Sequence, residues 1–227
     1  MKTIITICFI LMLPVMQARA QERDYVGAML NTITMMNEVS GIEETVRCAN
    51  MFERIGRVER DKWMPYYYAA YSLVVLSYDV KDMTERDEIL DIAQGLLDSA
   101  MYRAPGESEV HVLQAFLYPS RILVDPAGRG MTYVEKMFQS LEKAKSLNPD
   151  NPRIYFMEAV NLLNMPPSFG GGPEVAKPLF ETAAEKFKAF QTDDPLWPSW
   201  GEKENSIELE KLEKKAHAEE TSPEAVE

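Results

Sequence analysis

Small and apolar residues recur along this chain with helical spacing, and the whole pattern repeats. Each copy starts with a small or apolar residue, continues four and seven positions later, and has a proline twelve positions later. Copies occur at Ala93, Leu97, Ala100 and Pro105, at Met137, Leu141, Ala144 and Pro149, and in part at Ala176, Phe180 and Ala183. Small side chains three or four positions apart let two helices approach closely, and proline ends a helix. The pattern predicts stacked antiparallel helix pairs.

The periodicity predicts an all-α chain, and no segment is typical of a β-strand. We expect helices at 24–39, 42–58, 64–79, 85–103, 108–121, 132–147, 152–164, 174–190 and 204–216. Asn151 before Pro152 is typical of a helix start, and Thr132 with Glu135 has capping-box spacing. The links within pairs are long, at 78–84, 123–131 and 165–173. The predicted fold is a right-handed solenoid of about four antiparallel pairs with enlarged loops inside the pairs.

The first twenty residues have the composition of an export signal. Lys2 precedes the apolar stretch from Ile4 to Met16, and Ala18 and Ala20 give the small-x-small pattern of a cleavage site. The stretch is shorter than the about 20 residues of a spanning helix. We expect a periplasmic or secreted protein cleaved near Ala20. The predicted units are a signal peptide at 1–20, a helical-hairpin domain at 21–201 and an acidic C-terminal helix with a flexible tail at 202–227.

Charge and chemistry exclude several classes of function. The net charge is −12, and no basic run is present, which argues against nucleic acid and anionic membranes as partners. Cys48 is the one cysteine beyond the predicted leader, and its helical context predicts a buried structural residue. His111 and His217 are far apart in sequence, without partners at metal-ligand spacing. No nucleophile-and-base pair stands out. We therefore predict no metal, no cofactor and no enzymatic activity.

The residues around the second copy of the pattern resemble the tetratricopeptide signature. They are Leu141, Ala144, Leu147, Pro149 and Pro152, followed by Tyr155, Ala159 and Leu162. The copies are 44 and 39 positions apart, longer than the usual 34 and similar to HEAT-like pairs. Three further segments resemble exported bacterial tetratricopeptide-like proteins of unassigned activity: Asn151-Pro152-Arg153-x-Tyr155, PPSFGGGPEVA at 166–176, and Pro195-x-Trp197-Pro198-x-Trp200-Gly201. That resemblance implies architecture and compartment only.

The tetratricopeptide arrangement predicts a concave stripe. With Ala70, Ala115 and Ala159 in the small-residue positions, the residues on the groove side are Tyr67, Tyr71, Val112, Phe116, Arg153, Phe156 and Val160. An apolar stripe with one basic residue suits an extended peptide or an amphipathic helix. We therefore predict a protein- or peptide-binding scaffold of the cell envelope. In the alternative interpretation, these side chains pack against neighbouring helices or against the 24–39 helix.

A second hypothesis places a small-ligand or glycan site at Trp197, Trp200 and Phe169. Two indoles beside prolines can hold a sugar or a peptide, and they can equally cap the last hairpin of a helical stack. The glycine-rich loop at 168–173 is not preceded by a strand and is not followed by the Lys-Ser/Thr of a phosphate-binding loop. We interpret that loop as a linker whose glycines give the backbone conformational freedom.

Overall fold

The computed structural model describes residues 22–220, with side chains up to residue 217, and within this range the chain contains helices and no strands. The helices are α1 (22–38), α2 (Ile42–Val58), α3 (Met64–Asp79), α4 (Met83–Arg103), α5 (Ser108–Val124), α6 (Pro126–Leu147), α7 (Pro152–Asn164), α8 (Pro173–Ala189) and α9 (Glu202–Glu220). The all-α prediction is confirmed. The predicted leader and the end of the acidic tail lie outside the described residues.

The small and apolar residues of the repeated pattern lie where the helices pack against one another. From α2 to α9 each helix packs against the next, and α3 also contacts α5, as α5 contacts α7. Every helical member of the repeated pattern is buried: Ala93, Leu97, Ala100, Met137, Leu141, Ala144, Ala176, Phe180 and Ala183. Because alanine has only a methyl group, it allows two helices to pack closely at these positions. The periodicity therefore identified the packing face correctly.

Two of the three links inside the pairs are shorter than predicted. α5 and α6 are separated by Asp125 alone, so the predicted long link at 123–131 is wrong. The Asp125 carboxylate accepts a hydrogen bond from the Gly128 N–H at 3.0 Å, and Pro126 occupies the first turn of α6. This cap starts α6 earlier than the Thr132 spacing indicated. Only the link at 165–172, which contains a 3-10 turn at Pro167–Phe169, is long.

Two apolar cores meet at α5. One is built from α1 to α5 together with Leu196, and the other from α5 to α9. α3 is buried on nearly all sides, and its tyrosines Tyr66, Tyr67 and Tyr68 are all in the core. Cys48 is buried as a free thiol, as predicted. Among residues 22–220, none of the helices combines the length and apolar character needed to cross a bilayer.

Candidate functional site

Five aromatic rings meet where α3, α5 and α7 lie beside one another. They are Tyr71 and Tyr78 of α3, Phe116 of α5, Phe156 of α7 and Trp200, which precedes α9; we call them the aromatic cluster. The Trp200 indole stacks on Tyr71 and on Phe116, with ring centroids 5.5 Å and 5.6 Å apart. Tyr78 stacks on Phe116 at 5.6 Å. Phe156 is buried, and the other four residues are half-buried, so the cluster lies at the surface of the protein.

The segment Pro195–Gly201, which we call the strap, carries Trp200 onto these helices. Its backbone is neither helix nor strand. Side chains of α3 and α7 bind it instead: the Tyr68 hydroxyl donates to the Leu196 carbonyl at 2.9 Å, and Arg153 Nε donates to the Trp200 carbonyl at 2.9 Å. Arg153 Nη2 also donates to the Pro198 carbonyl. The strap therefore occupies part of the face that the sequence predicts as a groove.

A buried ion pair lies beneath the aromatic cluster. Arg153 Nη1 donates to Glu109 Oε1 at 2.9 Å, and the two residues are 2% and 0% exposed. The other Glu109 oxygen accepts a hydrogen bond from the Tyr67 hydroxyl at 3.4 Å. The Tyr67 oxygen in turn accepts a hydrogen bond from the Trp200 indole N–H at 2.8 Å. All three guanidinium nitrogens of Arg153 thus donate hydrogen bonds. Such pairing compensates for the loss of hydration that a buried charge suffers.

Burial raises the pKa values of the phenols at this site. The pKa of Tyr71 rises to about 12, mainly through burial and further through the nearby Glu204 carboxylate. Burial also raises the pKa of Tyr67, and the charge of Glu109 adds to that rise. Both phenols are therefore neutral near pH 7. Burial raises the pKa of Glu109 as well, with the Arg153 guanidinium opposing the rise.

The predicted groove residues separate into two layers. Tyr67, Val112, Arg153 and Phe156 are buried, where they support the surface without forming much of it. Half-buried positions remain partly open: Tyr71, Phe116 and Val160. The structure thus brings Tyr71, Phe116 and Phe156 together, and it adds Trp200, which the sequence assigned to a different hypothesis.

The three residues of the predicted small-ligand site do not form one cluster. Trp200 belongs to the aromatic cluster, whereas Trp197 packs edge-on against Trp63, at 6.0 Å, and near Phe190. Phe169, in the 3-10 turn, is 71% exposed, and within residues 22–217 its ring contacts neither tryptophan. Trp197 therefore contributes to the packing of the strap, and it does so against Trp63 and the core of the first helices, not only against the last hairpin.

Glu109 and Tyr78 are site residues that sequence reasoning missed. Glu109 follows Glu107 at the start of α5, where acidic residues are ordinary because they complement the helix dipole. Nothing local indicates that its carboxylate is buried against Arg153. Tyr78 lies seven positions after Tyr71, on the same helix face, and this spacing is a signal that was available. Among the described side chains, no group of three or more His, Cys, Asp or Glu residues is arranged to hold a metal ion.

A shallow cavity of about 520 Å³ lies between α1 and α2, and it includes no residue of the aromatic cluster. Its lining includes the apolar side chains of Tyr25, Ile55 and Val58 and the acidic side chains of Asp24 and Glu59. This cavity is open to solvent, and nothing in the structure indicates what would cover it. The aromatic cluster, with its organised rings and buried polar support, is therefore the better candidate for a binding surface.

Fold and site together define an all-α protein of packed consecutive helices that presents an aromatic cluster above a buried ion pair. No protein-family model matches the chain, and no curated protein matches it. Among solved structures, the chain is similar to the HusA haemophore from Porphyromonas gingivalis. The TM-score is 0.75 at 30% sequence identity, over 84% of this chain and 94% of that one. The chain belongs to the same family as HusA.

Proposed function

We propose that this protein is an exported, non-catalytic carrier that binds haem, or a similar flat porphyrin, at the aromatic cluster. The observation that carries the proposal is the 30% identity to a haemophore over 94% of its length. A haemophore is a haem-binding protein, and the absence of a nucleophile-and-base pair in the sequence of this chain supports a role in binding. The predicted leader at 1–20 supports export to the periplasm or beyond.

The geometry of the cluster supports a planar aromatic ligand. The Trp200 indole stacks on Tyr71 and on Phe116 at interplanar angles of 24° and 30°, while Tyr71 and Phe116 are tilted by 51° to each other, and all three residues are half-buried. A porphyrin laid on these rings buries apolar area at about 25 cal/mol per Å² and gains offset stacking contacts. Val160, half-buried on α7, and Val75, 39% exposed on α3, extend the apolar surface.

The strap favours a small ligand over a peptide. In the peptide-scaffold hypothesis, an extended partner lies along α3, α5 and α7. Here the chain's own strap takes that place, with its Pro198 and Trp200 carbonyls bound by Arg153. The remaining open surface is centred on rings, which suits a compact planar ligand. The groove set Tyr67, Tyr71, Val112, Phe116, Arg153, Phe156 and Val160 then divides into contact residues and buried supports.

We also infer that the helices form a right-handed, tetratricopeptide-like solenoid. Contacts of α3 with α5 and of α5 with α7, in addition to those between consecutive helices, support stacked hairpins. The burial of the same small-residue pattern in three successive pairs supports this inference too. In such a stack the first helices of the pairs share one face, which is where the aromatic cluster lies.

Titration of haemin into the chain without its leader tests the proposed function. We expect a shift of the haemin absorption band, quenching of tryptophan fluorescence and saturation at one site. Phe116→Ala and Trp200→Ala each weaken binding about 5- to 10-fold, because each removes a stacking partner and its apolar area. Tyr102→Ala is the matched control, since Tyr102 is an aromatic side chain on α4 that is 86% exposed outside the cluster.

Three outcomes are distinguishable in that titration. Wild-type protein that fails to bind haemin refutes the haem assignment. Binding that both ring variants leave unchanged places the ligand away from the aromatic cluster. Weakening by Tyr102→Ala equal to that of Phe116→Ala shows that the loss is not specific to the cluster.

A further inference from the structure

The strap depends on side chains for its position. Residues 190–201 form no helix or strand, so no regular ladder of backbone hydrogen bonds holds them. Four hydrogen bonds connect the strap to side chains of α3 and α7. The Tyr68 hydroxyl donates to the Leu196 carbonyl, and the Arg153 guanidinium donates to the Pro198 and Trp200 carbonyls. In the fourth bond, the Trp200 indole N–H donates to the Tyr67 hydroxyl.

The groups that hold the strap are themselves fixed. Tyr67 is fully buried, and its hydroxyl is directed at Glu109, which leaves the oxygen lone pairs to accept the indole N–H. Arg153 is held by Glu109, and its guanidinium carbon lies 5.5 Å from the ring centre of Trp200. One buried carboxylate therefore orients both groups that determine where the indole lies.

We propose that Tyr67 and Arg153 are positioning residues for ligand binding, which hold the Trp200 indole in its stacking orientation before the ligand arrives. This inference rests on the proposed function of the aromatic cluster. Neither side chain needs to touch the ligand, since both are buried beneath the rings. Their effect on affinity is exerted through Trp200.

The expected effect follows from the entropy of ordering a side chain. A loosely held indole must be immobilised when the ligand binds, and immobilising one such side chain weakens binding about 2- to 10-fold. An indole that is already hydrogen-bonded to Tyr67 avoids this cost. Removal of the Tyr67 hydroxyl should therefore weaken haemin binding by about that factor, while the fold and the phenyl ring stay in place.

A double-mutant cycle tests the proposal with haemin as the probe. Tyr67→Phe should weaken binding about 2- to 10-fold in the wild-type background and should have no effect in the Trp200→Ala background, because its action needs the indole. Tyr66→Phe is the matched control: it removes a neighbouring buried hydroxyl that accepts from Arg103 and does not touch the strap. Tyr68→Phe, which releases the Leu196 carbonyl, is a second independent test.

The outcomes separate this proposal from the proposed function. If wild-type protein binds haemin and Tyr67→Phe binds it equally well, the positioning role is wrong while the binding function stands. The same conclusion follows if Tyr67→Phe weakens binding as much in the Trp200→Ala background as in wild type. If wild-type protein does not bind haemin, both the proposed function and the positioning role are overturned. Arg153→Lys, which keeps the charge and loses the planar fork, should reproduce the Tyr67→Phe effect.

Discussion

The indole N–H of Trp200 donates a hydrogen bond to the hydroxyl oxygen of Tyr67, 133 positions earlier in the chain, with an N–O distance of 2.8 Å. This bond joins the strap to the most buried ring of α3. Because the same hydroxyl is directed at Glu109, the exposed stacking surface is connected to the buried ion pair of Glu109 and Arg153. Surface and support therefore form one hydrogen-bonded unit.

Loss of the Glu109 charge should destabilise the protein strongly. Glu109→Gln leaves the Arg153 guanidinium buried without a counter-charge, and we expect the free energy of unfolding to fall by about 3–5 kcal/mol. Urea denaturation followed by circular dichroism measures the change. Asp150→Asn is the comparison, because it breaks the exposed Lys186–Asp150 pair, also 2.9 Å long, and should cost less than about 1 kcal/mol. Equal effects of the two substitutions would contradict the buried-pair argument.

Tyr71 should contribute its ring and not its oxygen to binding. Burial and the Glu204 carboxylate raise the pKa of Tyr71 to about 12, so the phenol is protonated at neutral pH in the ligand-free protein, and its ring, which stacks on Trp200, is the part that we expect to contribute. We expect Tyr71→Phe to keep haemin affinity within about twofold, and Tyr71→Ala to lose about 5- to 10-fold. Absorption spectra of the complexes at neutral pH should be the same for wild type and Tyr71→Phe. A changed spectrum in that variant would indicate coordination by the phenolate.

Gly201 should be hard to replace. Its φ is +100°, which disfavours residues with a side chain, and an added Cβ would lie 3.0 Å from Phe187 Cζ and 3.4 Å from Phe156 Cδ1. We expect Gly201→Ala to lower the unfolding free energy by about 1–3 kcal/mol and to weaken haemin binding, because Trp200 is the preceding residue. Thermal unfolding and haemin titration measure the two effects. Gly106→Ala, where the added Cβ meets nothing within 4 Å, should change neither.

Acid should remove a stabilising contribution of Asp87. Hydrogen bonds from Arg129, at 2.7 Å to both carboxylate oxygens, and contacts with Arg121 lower the pKa of Asp87 to about 2. A carboxyl group with a lowered pKa stabilises the folded state above its unfolded-state pKa and loses that contribution as pH falls through the folded value. We expect about 1 kcal/mol, since the pair is partly open to water, to disappear between about pH 4 and pH 2.

Urea unfolding across that pH range checks the Asp87 contribution. Asp87→Asn should be less stable than wild type at neutral pH, and the difference between the two proteins should vanish near pH 2. A difference that persists in acid would show that Asp87 acts through neutral hydrogen bonds instead of its charge. Added salt at neutral pH should reduce the same difference, because the ions screen the partly exposed pair.

Local sequence was a good guide to the helices and a poor guide to some links. Helical periodicity and the helix start at Asn151-Pro152 are properties of a few neighbouring residues, so they can be recognised before the fold is known. The same reasoning placed the start of α6 at residue 132, because Thr132 and Glu135 have capping-box spacing. The cap by Asp125 and the packing of α6 against α5 overrode that local preference.

By itself the sequence determined which residues form helices and which helix faces are buried. Spacing by three and four positions is enough to put Ala93, Leu97 and Ala100 on one packing face. The tertiary structure alone decided which aromatic rings stay open and what lies beneath them. Glu109 and Arg153 are 44 positions apart, and Trp200 reaches Tyr67 over 133. Such contacts depend on how whole helices and the strap are placed in space, and no local pattern of residue types encodes that placement.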